Sequence, residues 1–67
     1  MSTVGDDYPV QQARVRRIQQ CAREIGPGGQ FLVAITEAAL REAEAAAISG
    51  DPIRILRAYQ ELKDFKE

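Results

Sequence analysis

Histidine is the commonest general acid–base residue at neutral pH, and this chain has none. Such work would fall to carboxylates, Lys or Tyr, yet most of the acids sit three or four residues from a basic partner on the polar side of an apolar-periodic segment. Glu42 is the exception. At about 100° per residue it interrupts an apolar arc between Phe31 and Ile35. A carboxylate there is expected at the rim of the core or paired with an arginine of the first helix, because a buried unpaired charge is costly, and the functional alternative is a polar specificity contact in an interface. Cys21 is the only cysteine, has no candidate base, and reads as a small, partly buried apolar residue rather than a nucleophile. No internal disulfide is possible, and without histidine neither a zinc nor a haem site is expected. The acids lack the D-x-D-x-D-G spacing that surrounds calcium with oxygens. The expectation is a protein without catalytic residues, metal or cofactor.

Two further features carry some chemistry. Gly26-Pro27-Gly28-Gly29 precedes a helix start, where free N–H groups attract anions, but it lacks the Gly-Lys-Ser/Thr ending of a P-loop and follows a helix. A plain interhelical turn is the expectation. Gln12, Arg16, Gln19 and Arg23 recur at i, i+4, i+7 and i+11 on the outer side of the first helix, with Arg17 and Gln20 widening the stripe. Forked guanidinium groups interspersed with amides suit an acidic protein surface or phosphates, so this stripe is the candidate partner-binding face.

The elements that must position these residues are three helices. Tyr8 or Asp7 followed by Pro9 starts the first, at about 9–25, and leaves residues 1–8 as a mobile acidic tail. Val15, Ile18, Ala22 and Ile25 make its core stripe, and Gly26 with Pro27 ends it. The second helix runs over about 30–49 to the stop at Gly50, and its apolar residues cover more than half its surface. Asp51 and Pro52 cap the third, at about 52–66, so the second and third helices form an antiparallel hairpin. Residues 9–67 therefore make a single all-α, three-helix domain, centred on Ile18, Ile25, Leu32, Ile35, Leu56, Tyr59 and Leu62.

With 67 residues the chain buries only a modest core, so association is a natural source of stability. The second helix is too apolar for two neighbours to cover. Val33, Leu40 and Ala47 lie opposite Ala38 and Ala45 and make the candidate self-association surface, closed by a two-fold axis into a homodimer. The net charge of −1 gives no overall attraction to nucleic acid or anionic lipid, although four arginines make the first helix basic. No apolar run reaches the roughly 20 residues that cross a bilayer, and the first residues lack the basic and apolar regions of a signal peptide. A cytoplasmic protein is expected, with no membrane contact. Seven arginines against two lysines, with abundant alanine, suit a GC-rich bacterial or phage genome.

The segment Ala46-Ala47-Ile48-Ser49-Gly50-Asp51-Pro52 is similar to the hinge of tetratricopeptide-like hairpins. A single copy implies a helical hairpin rather than a repeat protein. Ala46, Gly50 and Leu56 also have helix-turn-helix spacing, but Pro52 in the turn and a second helix without net positive charge depart from that pattern. The functional expectation is a small non-enzymatic protein, bacterial or phage-encoded, that modulates a host protein by binding it and self-associates. The alternative is a nucleic-acid-binding regulator using the first helix or the hairpin.

Overall fold

The computed structural model describes residues 3–66 and contains α1 (Val4–Ile25), α2 (Gln30–Ser49) and α3 (Pro52–Asp64), with a 3₁₀ turn at Pro27–Gly29. No strand occurs among the described residues. The small all-α domain and the α2–α3 hairpin agree with the sequence reading. Gly26 closes α1 at φ 87° and Gly50 closes α2 at φ 71°, both in the region that favours glycine. Asp51 caps α3 through Oδ1, which accepts from the N–H groups of Ile53 and Arg54, while Pro52 occupies the first turn.

The start of α1 lies five residues earlier than expected. Thr3 caps it, with Oγ1 accepting from Asp6 N–H at 3.3 Å, and Asp6 and Asp7 then fall in the first turn at the positive end of the helix dipole. Pro9 sits inside the helix rather than at its start, leaving the exposed Gly5 carbonyl without the usual amide donor. The expected mobile tail is corrected accordingly: Val4 packs against the core and Tyr8 is buried within it. Only Met1 and Ser2 of that segment lie outside the described residues, as does Glu67 at the other end. Phe65 terminates α3 in an extended conformation, two residues before the expected limit.

The helices meet on alanine seams. The buried apolar residues are Tyr8, Val15, Ile18, Ala22, Ala39, Ala43, Ala46, Ala58 and Leu62. Small side chains at a crossing let backbones approach, so the larger residues flanking each seam are pushed toward its rim. Ile18 and Leu62 hold the central positions expected of them, and Leu32 and Tyr59 are half-buried. Ile25, Ile35 and Leu56 are corrected: they are exposed by 69, 38 and 52 %. The turn is equally close-packed, for a Cβ on Gly29 would run into the backbone of Ala22.

Candidate interaction surface

The polar side chains that converge in this molecule tie helices together. Asp7 Oδ2 accepts from the Tyr59 hydroxyl at 2.6 Å and from Gln11 Nε2 at 3.1 Å. The Tyr59 hydrogen bond, then that of Gln11, holds the Asp7 carboxyl below its usual range, and the Tyr59 phenol is correspondingly raised by its bond to Asp7. Tyr59 stacks on Tyr8 at 6.3 Å between ring centroids, with the Lys63 ammonium 5.3 Å from its own centroid. Tyr8 donates its hydroxyl to the Ala43 carbonyl at 2.6 Å, and burial raises its phenol. Arg14 donates to the carbonyls of Leu62 and Phe65 at 2.7 and 2.6 Å, capping the end of α3 from α1. These contacts set α1 parallel to α3 and antiparallel to α2.

The stripe expected on α1 is interrupted. Arg16 and Arg23 are exposed and Gln12 is half-buried, whereas Gln19 is only 8 % exposed and turns toward α2. Its Nε2 donates to Glu37 Oε2 at 2.9 Å and to the Val33 carbonyl at 3.4 Å. That bond and a second one from Arg41 hold the Glu37 carboxyl below its ordinary range. Gln12 instead lines a shallow groove with Tyr8, Ala47 and Ile55. Arg23 borders a different one, with Pro27 and Val33.

The surface expected to self-associate faces α1. Val33 and Leu40 are half-buried and Leu40 packs on the core, while Ala47 alone of the three is exposed. The surplus apolar surface therefore lies elsewhere on α2. Glu42 is paired, but with Arg54 of the neighbouring hairpin helix rather than with α1, through two bonds of 2.7 and 2.8 Å. Those bonds lower its carboxyl and raise the Arg54 guanidinium. Cys21 is exposed rather than partly buried.

What sequence reasoning missed is an apolar face created by unequal helix lengths. Helix α3 has 13 residues against 20 in α2 and 22 in α1, so it falls about 10 Å short of the turn end of the α1–α2 pair. Ile25 and Phe31 remain uncovered there, exposed by 69 and 78 %, and Ile35, exposed by 38 %, borders the end of α3 beside Phe65. One groove, lined by Ile18, Cys21, Ala22 and Leu32 with Arg17 and Lys66 at its edges, lies between α1 and α2 in this region. A second runs between α2 and α3, with Ile35, Ala38, Ala39 and Phe65 as apolar walls and Glu42, Glu61 and Asp64 on its rim. The sequence signal that marks this surface is the difference in length between the two hairpin helices.

No protein-family model, curated protein or solved structure matches the chain. Among the described residues no helix is long and apolar enough to cross a membrane, and no His, Cys, Asp and Glu side chains group as metal ligands.

Proposed function

We propose that this chain is a non-enzymatic helical interaction protein that works by docking other protein surfaces on the face running from Ile25 over Phe31 to Ile35. The observation that carries the reading is the exposure of Ile25 and Phe31 at the end of the bundle that α3 does not reach, with Ile35 in an apolar groove beside the end of α3. Contiguous apolar surface costs solubility, and it persists on monomeric domains chiefly where something binds. The polar clusters are occupied in joining helices, and the other exposed large apolar side chains, Val10, Ile48, Ile53 and Leu56, lie outside this face, Ile53 on a groove lined mainly by charged residues. The single exposed thiol of Cys21 in the α1–α2 groove suits a reducing compartment.

The test is affinity capture with tagged wild-type protein and the variants Phe31→Asp and Arg16→Asp. A protein captured by wild type and Arg16→Asp but lost with Phe31→Asp, at unchanged helical content, supports this face. Capture that depends on Arg16 and ignores Phe31 would return the function to the outer side of α1.

A further inference from the structure

We infer that the groove between α2 and α3 takes a basic amphipathic helix of another protein, which sets large apolar side chains on Ile35, Ala38 and Phe65 and Lys or Arg side chains against Glu61 and Asp64. The inference rests on the docking reading above and states the chemistry of the partner.

Residue sizes decide what shape enters the groove. Ala38 and Ala39 lie between the larger side chains of Ile35 and Phe65, in a space of about 520 Å³ open to solvent. Alanines let an incoming backbone approach closely, and large side chains of that segment fill the space between the walls. Phe31 stands one turn before Ile35 on the same side of α2 and carries the apolar row past the end of α3. From Phe31 to Glu42 the row runs about 16 Å, or three helical turns. Both walls are helices, and no strand edge occurs among the described residues to pair with an extended chain. A helix satisfies its own backbone, so it can bury an apolar stripe here without leaving amides unpaired.

Charge on the rim sets the sign of the partner. Three carboxylates line the groove, and among the described residues no basic side chain does. Glu42 is engaged by Arg54, whereas Glu61 and Asp64 are exposed and make no hydrogen bond or ion pair among the described residues. Nearby cations are directed elsewhere: Lys63 lies over the Tyr59 ring, Arg41 is held by Glu37, and Arg57 lines the neighbouring groove with Arg54. Glu61 and Asp64 are three residues apart and so share one side of α3, where a helix lying alongside meets them with cations one turn apart. Ion pairs at an open rim add little affinity, but a like charge placed there is repelled. The apolar contacts hold the helix and the two carboxylates select it.

The probes are two synthetic helical peptides of about 18 residues with the same leucine stripe, one carrying lysines on its polar flank and the other glutamates. Titration of the full chain, followed by NMR, should shift the amides of Ile35, Ala38 and Phe65, and the lysine peptide should bind at least about tenfold tighter than the glutamate peptide. The isosteric double variant Glu61→Gln/Asp64→Asn should lose most of that preference. Glu24→Gln/Glu44→Gln, which changes the net charge equally at other exposed carboxylates, should keep it. Absence of binding by the lysine peptide, equal affinity for the two peptides, or a preference that both double variants lose alike overturns the inference. If any of these accompanies Phe31-dependent capture of a protein, the docking face stands without this selectivity. Capture that ignores Phe31 removes the docking reading itself, whatever the peptides do.

Discussion

Asp7 joins two helices through one carboxylate, and its cost in acid can be worked out from its partners. Tyr59 and Gln11 both donate to it, so the folded state binds the ionised form more strongly than the unfolded chain does. A carboxyl depressed on folding contributes stability that is present above its unfolded pKa and is lost as pH falls through the folded one. Glu37 and Glu42 are depressed in the same direction, by Gln19 and Arg54 respectively, so the melting temperature should drop as pH is lowered from neutrality through the carboxylate range. Tyr59→Phe removes the leading cause of the shift at Asp7. Thermal melts against pH should show a shallower acid slope in that variant, and an unchanged slope would mean that the Asp7–Tyr59 contact does not persist in solution. Little of this network is legible in the sequence. Asp7 and Tyr59 are 52 positions apart, and nothing in local periodicity joins them.

At the scale of elements, capping and stop signals carry over well while the core assignment does so unevenly. Gly26, Gly50, Asp51 and Pro52 act through local backbone geometry, so their positions alone fix where helices end. The start of α1 escaped because Pro9 resembles a first-turn proline, whereas Thr3 with the acidic pair supplies the working cap. A helical wheel shows which arc is apolar but not where along its length a neighbour runs out. Leu56 lies in such an arc and is 52 % exposed, whereas Leu62 is fully buried. Leu62→Ala should cost about 2–5 kcal/mol, as large-to-small changes in packed cores do. Leu56→Ala should stay within about 0.5 kcal/mol. Chemical denaturation measures both, and equal losses would show that α3 packs in a different rotation about its axis.

The whole molecule is a bundle that folds on alanine seams and keeps its largest free apolar side chains outside. Ala39, Ala43 and Ala46 bring α2 close to both neighbours, Leu62 and Val15 fill the centre, and Phe31 contributes nothing to that interior. The sequence does reveal that α2 has more apolar surface than two helices can cover. It does not reveal which side is spare, since that depends on how α1 and the shorter α3 settle around it. Val33 and Leu40 prove to be half-buried, with Leu40 packed on the core, while Phe31, Ile35 and Ala38 are exposed. A side chain that serves docking rather than folding leaves a particular signature, because it can be charged without loss of stability in the isolated chain whereas a core side chain cannot. The most direct measurement is the melting temperature of wild type and Phe31→Glu over a wide range of protein concentration. The two values should coincide at high dilution, where folding is measured without association. A Phe31→Glu protein that melts well below wild type at every concentration would contradict the account, because Phe31 would then belong to the folded core.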